Sequence, residues 1–135
     1  DAFTTPLQGL SNVLLTPHIG GSTEEAQENI GEDVSIKLYQ YLERGVSNGS
    51  HTIPSLSLPP VDGAHRILHI HKNVPGVLGA INTLLSKNKI NIVGQYLKTN
   101  DEIGYVVLDV DSKLSKQAMA LLKEVKETIK VRMLY

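Results

Sequence analysis

Residues 65–79 read H-R-I-L-H-I-H-K-N-V-P-G-V-L-G, and the dipeptide Pro75-Gly76 constrains the fold more than any other feature of the chain. Ahead of it, apolar residues alternate with polar ones, the period of a strand. Behind it, Val77, Leu78, Ile81, Leu84 and Leu85 recur at helical spacing. Proline suits such a junction because the first helical turn has N–H groups to spare. Ile90–Thr99 then reads as a second strand, Asn100-Asp101-Glu102 as a turn and Ile103–Val110 as a third strand. Residues 115–128 carry Ala118, Leu121, Leu122 and Val125 on one helical face, and 129–134 close with a fourth strand. The order β-α-β-β-α-β predicts an α+β, ferredoxin-like domain over 64–135, with a four-stranded antiparallel sheet and both helices on one face. The open face, read as aliphatics and histidines, is expected to need a cover, most simply a second copy.

The first 63 residues have a different texture. Residues 1–12 are turn-rich and expected to be loop, and Val13-Leu14-Leu15 suits a short buried parallel strand that Pro17 closes. Ser22 and Glu25 have capping-box spacing, with Thr23 as the alternative cap, so a helix is expected over 23–43. Its apolar stripe is Ala26, Ile30, Val34, Leu38, Tyr41 and Leu42, and Gly45 is the expected C-cap. Such a helix cannot bury its stripe alone. Residues 46–63 are rich in Gly, Ser and Pro and read as a linker, whose Ile53, Leu56 and Leu58 can tack it to a neighbouring surface. The expected division is therefore 1–45, 46–63 and 64–135.

Charge and composition exclude several function classes. Thirteen basic and 14 acidic residues give a net charge of −1 with no long block of either sign, which argues against nucleic acid or an anionic membrane as partner. Cysteine is absent, excluding a thiolate nucleophile and a Cys-containing zinc site. No apolar run approaches the roughly 20 residues of a membrane-spanning helix. Residues 1–12 resemble no signal peptide, and a cytoplasmic location is the default expectation.

Three groups of residues carry possible chemistry. His18 precedes Gly20-Gly21 and a helix start, where an imidazole can exchange a proton near neutrality or simply satisfy a turn. His65, His69 and His71 alternate on one strand, but no local carboxylate completes a metal set, and no metal is expected. His71, Asn73 and Asn91 flank the start and end of the first helix of the domain. Helix N–H groups and amide oxygens there suit the carboxylate and ammonium of an amino acid; equally, Asn73 can cap the helix and Asn91 close a loop. Tyr96, Tyr105 and Tyr135 suit strand packing or an interface, and Lys72, Lys87, Lys89 and Lys98 suit a solvated rim.

Two stretches resemble known families. N-V-L-L-T-P-H-I-G-G-S-T-E-E-A-Q at 12–27 resembles the segment closing the nucleotide-binding domain of NAD-dependent D-2-hydroxyacid dehydrogenases. I-H-K-N-V-P-G-V-L-G at 70–79, N-I-V-G-Q-Y-L-K-T at 91–99, G-Y-V-V-L-D-V at 104–110 and the closing I-K-V-R-M-L-Y resemble the C-terminal regulatory domain of serine-pathway members, a module of the ACT family. The resemblance implies a parent enzyme that oxidises 3-phospho-D-glycerate to 3-phosphooxypyruvate with NAD. It implies His18 as the parent's catalytic histidine and Gly20, Gly21 and Ser22 as the loop beside the nicotinamide. It further implies His71, Asn73 and Asn91 as the holders of L-serine between two ACT domains, paired through their first strands in a dimer within a tetramer. Val74 departs from the pattern, since the best-studied members carry a basic residue there. The nucleotide fingerprint G-x-G-x-x-G, the substrate arginine and the glutamate that orients the histidine are absent, so these residues alone are expected to be inactive and to bind no cofactor. The alternative is a freestanding amino-acid-binding or protein-interaction module.

Overall fold

Four strands form one antiparallel sheet in the computed structural model: β1 (Ala64–Lys72), β2 (Ile92–Thr99), β3 (Ile103–Asp111) and β4 (Thr128–Leu134). Their order across the sheet is β2-β3-β1-β4. The helices are α1 (Glu24–Arg44), α2 (Val77–Lys87) and α3 (Ser115–Lys123), with a 3-10 turn over Ser112–Leu114. The structure describes residues 3–134. Asp1 and Ala2 of the expected first loop, and the role expected of Tyr135, lie outside the described residues. The chain divides into two compact units, Asp1–Ser35 and Ile36–Tyr135.

In the first unit, Thr23 rather than Ser22 caps α1, its Oγ1 accepting from the Ala26 N–H at 3.1 Å. The run Val13-Leu14-Leu15 forms no strand, because a strand exists only as one side of a ladder and all four ladder members lie between Ala64 and Leu134. No residue of α1 is fully buried, and in this unit its Ile30 and Val34 stand exposed.

In the second unit, alternation along the strands separates two apolar layers. Ile67, Val106, Leu108 and Val110 point to the helix side and pack with Val77, Ile81 and Leu85 of α2 and with Ala118 and Leu122 of α3. The helix expected to reach Thr128 ends at Lys123, because Glu124 and Val125 switch to three-residue hydrogen bonds to Leu121 and Leu122. The Thr128 hydroxyl also donates to the Leu122 carbonyl at 2.9 Å, closing that end. Val125 still packs against the core, now from a turn.

The opposite sheet face corrects the expectation of a second copy. Leu68, Tyr105, Val107 and Leu134 are buried there against Tyr41, Ile53, Leu56 and Leu58 of the same chain. The linker is a compact loop. Buried Ser47 donates its hydroxyl to Pro54 O at 2.7 Å and accepts from Leu56 N–H at 2.9 Å. Nor do histidines line this face: the burial partners of His65, His69 and His71 all lie on the helix side.

What fastens the loop is a buried ion pair. Arg66, 2% exposed, donates Nε to Asp109 Oδ1 at 2.7 Å and Nη2 to Oδ2 at 2.9 Å. Its remaining donors reach Arg44 O and Pro59 O, both at 3.0 Å. Tyr105 donates its hydroxyl to Gly45 O at 2.6 Å, and Arg132 donates to Leu42 O at 2.8 Å. The orphan carbonyls at the end of α1 are thus capped from three strands. Burial pushes the Tyr105 hydroxyl pKa up, keeping it a donor. Gly45 is held left-handed at φ +73°, and a Cβ there would collide with Leu68.

Arg66→Met leaves Asp109 buried and unpaired and should cost about 3–5 kcal/mol, whereas Arg66→Met combined with Asp109→Leu should recover most of that loss. Urea unfolding of the two variants checks the difference.

Candidate functional site

The junction singled out in the sequence lies at the end of β1, where the chain leaves the sheet for α2. Gly76 takes a left-handed φ of +93° as N-cap, and no side chain caps the helix. Its first N–H groups therefore remain available, carrying the positive end of the helix dipole. Asn73 does not cap α2. It ties the junction to the β2–β3 turn, with its N–H on Glu102 O at 2.8 Å and its Nδ2 on Asn100 O at 2.7 Å. Its side-chain oxygen stays unassigned, and Val74 beside it is exposed.

His71, 3% exposed, sits on the helix side of β1 opposite Gly104. Its Nδ1 lies 2.8 Å from Lys72 O, and its Nε2 is buried with no partner. The ring occupies the space that a Cβ on Gly104 would take, so this position admits only glycine while His71 keeps its place. His69 lies next to it, with ring centroids 5.5 Å apart. The His69 Nε2 is 2.8 Å from Thr128 Oγ1, and its Nδ1 is buried and unpartnered. His65, further along, hydrogen-bonds Ser115 Oγ through Nδ1 at 2.8 Å. Among the described residues no three His, Asp or Glu side chains converge as a metal ion requires.

Asn91 stands apart. The α2 helix closes with the Asn88 side chain on Leu84 O at 2.8 Å and Lys89 at φ +56°, which buries Ile90 and leaves Asn91 exposed ahead of β2. It borders a shallow groove lined by Asn82, Ser86 and Lys89. Ile92 pairs with Val110 while Lys72 pairs with Ile103, so Asn91 and Asn73 lie at opposite ends of the sheet, on the order of 25 Å apart along the strands. Within one chain the structure brings His71 and Asn73 together and leaves Asn91 away from them.

His18 takes a left-handed φ of 55° and is exposed, as are Gly20, Gly21 and Ser22. Nothing lies within 4 Å of a Cβ built on Gly20 or Gly21. These four residues do not form a nicotinamide cleft by themselves. Sequence reasoning missed Gly104 and Thr128, which set the orientations of His71 and His69. Gly104 could have been noticed as a glycine opening a strand of bulky residues.

The first strand, expected to carry the pairing of two domains, is interior: β1 is hydrogen-bonded to β3 on one side and β4 on the other. It has no free edge to offer. The free edges are those of β2 and β4.

Comparison with known proteins gives these features a family. A model described as the AHAS small subunit-like ACT domain matches residues 67–132. D-3-phosphoglycerate dehydrogenase of Escherichia coli strain K12 is 47% identical over 137 residues, covering 100% of this chain and 33% of the relative. The chain is an ACT-domain segment of the D-3-phosphoglycerate dehydrogenase family. The D-3-phosphoglycerate dehydrogenase of Haemophilus influenzae is 46% identical, again over 100% of this chain and 33% of its own. The chain thus spans about a third of the length of the dehydrogenases it matches. Among solved structures, the ACT domain from GTP pyrophosphokinase of Chlorobium tepidum covers 55% of this chain at 22% identity and a TM-score of 0.48.

Burial first, and the neighbouring His71 second, push the His69 pKa down from 6.5 to about 4, against an opposing backbone contact from Leu122. The unfolded chain therefore binds this proton more readily between those values. Stability from keeping His69 neutral is complete above about pH 6.5 and is lost as pH falls through about 4, on the order of 3 kcal/mol in all. Urea unfolding at pH 7 and pH 4 should show that loss in the native chain and a smaller one in His69→Phe.

Proposed function

We propose that this chain is the L-serine-sensing and oligomerising part of a dehydrogenase that oxidises 3-phospho-D-glycerate to 3-phosphooxypyruvate with NAD, in the cytoplasm. The parts would be residues 1–45 from the nucleotide-binding side, a linker over 46–63 and the ACT domain over 64–135. His18 would be the parent's catalytic histidine, beside the cofactor loop of Gly20, Gly21 and Ser22. The residues that would orient His18 and enclose NAD are not in this chain, so it is expected to be inactive alone.

One observation carries the sensing reading: the buried, unpartnered Nε2 of His71 lies at the strand end leading into an uncapped helix N-terminus. An amino acid has both of the groups such a place calls for, a carboxylate for the helix N–H groups and hydrogen-bond donors for the imidazole. Asn73 and Asn91 would complete the site.

The position of Asn91 supports a site shared by two copies. The β2 strand is a free edge, with Val93 64% and Leu97 40% exposed. Antiparallel pairing of two β2 edges sets the start of one beside the end of the other. Asn91 immediately precedes β2, while Asn73 is bonded to Asn100, just past its end. Such pairing would bring Asn91 of one copy to Asn73 of the other and make one eight-stranded sheet, a dimer from which a tetramer can be built.

Calorimetric titration of the chain with L-serine should give saturable heat that Asn73→Ala and Asn91→Ala each weaken by 10-fold or more, about 1.4 kcal/mol. Absence of heat at millimolar L-serine would remove the sensing reading. Sedimentation should show a dimer that Val93→Lys with Leu97→Lys converts to monomer, with loss of the L-serine heat; a monomeric chain that still binds L-serine would overturn the shared site.

A further inference from the structure

Of the eight asparagines in the chain, only Asn48 precedes a glycine. Asparagine is chemically labile, and most so in this pair, because glycine puts no side chain between the amide carbon and the next backbone nitrogen. Asn48 and Gly49 form the centre of a turn that the Ser50 N–H closes on Ser47 O at 3.0 Å, with Gly49 at φ +73°. Both residues are exposed to solvent. Their reacting groups are nevertheless held. Asn48 Oδ1 accepts from Ser57 Oγ at 2.9 Å, and the Gly49 N–H donates to Ser55 Oγ at 3.3 Å. Ser55 and Ser57 belong to the other arm of the loop. Ser47 joins the two arms, through its N–H on Leu56 O at 3.0 Å, its hydroxyl on Pro54 O and the Leu56 N–H on its Oγ. Leu56 and Leu58 pack on the sheet face and Arg66 donates to Pro59 O, so the second arm keeps its place only while the loop is docked.

We propose that Asn48 is a deamidation site, held back by the docking of its own loop on the sheet. In the reaction the Gly49 nitrogen gives up its proton and bonds to Asn48 Cγ. The bond from Cγ to the side-chain nitrogen breaks, and that nitrogen leaves as ammonia with the proton that Gly49 lost, so a cyclic imide remains. Water then adds to one of the two imide carbonyls and opens the ring. One opening gives aspartate at 48, the other an isoaspartate whose main chain runs through the former side chain. Water is the sole co-reactant. Ring closure requires the Asn48 amide to turn from Ser57 and the Gly49 N–H to leave Ser55, so both bonds are surrendered before the ring can form. An undocked loop surrenders both at once, and local opening therefore sets the rate. Isoaspartate lengthens the main chain by a carbon between Ser47 and Ser50, whose bond closes the turn, and the loop then does not regain its docked form. The change leaves an irreversible record that the end of α1 has come off the sheet.

The test is incubation of the full chain at mildly alkaline pH, followed by tryptic cleavage and mass spectrometry. Cleavage after Arg44 and Arg66 releases residues 45–66, in which Asn48 is the one asparagine, so its aspartate and isoaspartate forms are counted directly. The free peptide of residues 45–66 gives the rate without a fold. Asn48 should react at least about 10-fold more slowly in the native chain than in that peptide, because two hydrogen bonds are given up together. Ser57→Ala removes one of them and should react about 5-fold faster than the native chain, with a urea midpoint close to the native one. Tyr105→Phe keeps its ring but no longer holds Gly45 O, and it should speed Asn48 as well, through docking alone. A native chain that reacts as fast as the peptide would overturn the proposal, and so would equal rates in the native chain and Ser57→Ala. An Asn48 that stays intact in the native chain and in both variants would overturn it too.

Discussion

The buried pair between Arg66 and Asp109 holds the most other things in place. An isolated guanidinium in an apolar layer would be prohibitive, and here Asp109 takes two of its donors while Arg44 O and Pro59 O take the rest. Every partner except Asp109 is backbone from outside the sheet. The pair therefore converts an apolar sheet face, which would accept many neighbours, into one that fits the end of α1 and one loop. Tyr105 and Arg132 add two more carbonyls of the same helix end, so three strands hold one turn. Charge-assisted bonds to fixed carbonyls specify geometry more sharply than aliphatic contact does.

This attachment decides what the domain can offer to others. One face of the sheet is covered by the chain's own residues 41–58 and the other by α2 and α3. Only the edges of β2 and β4 remain, and β2 carries the exposed aliphatic residues Val93 and Leu97. The junction after β1 is the other open element, because its helix start is uncapped and its neighbouring histidines are incompletely satisfied. The interior position of β1 links the two ends of the sheet: Arg66 near its start faces the loop side, and His71 near its end faces the helices. Opposite them on β3 stand Asp109 and Gly104, the first by charge and the second by having no side chain.

Much of this was legible in residue order. The change of period at Pro75-Gly76 located β1 and α2, and the apolar run Tyr105–Leu108 located β3, because a strand buried on both faces needs apolar side chains on both. Local hydrogen-bond competition was harder to read. Thr23 displaced Ser22 as cap, and the Thr128 side chain with two three-residue bonds ended α3 at Lys123, although Val125 keeps the helical spacing. Arg66 gave no signal, since an arginine between apolar residues reads as a solvated position until Asp109 is known to lie across the ladder. The candidate site divided in the same way. His71 and Asn73 were found by their place at a helix start, whereas the ring orientations of His69 and His71 depend on Thr128 and Lys72 O, which no spacing rule connects to them.

Sequence by itself determined the βαββαβ order, the strand-to-helix junction and the family, because these rest on periodicity and motif, which are properties of neighbours along the chain. Tertiary structure alone decided which sheet face the histidines occupy, that the chain covers its own open face, and that β1 is interior while β2 is an edge. Those outcomes follow from contacts between residues far apart in the chain, such as Tyr105 with Gly45, 60 residues away, and Arg132 with Leu42, 90 residues away. A one-residue choice of register or facing turns every side chain of a strand over, and only the packed partners fix that choice.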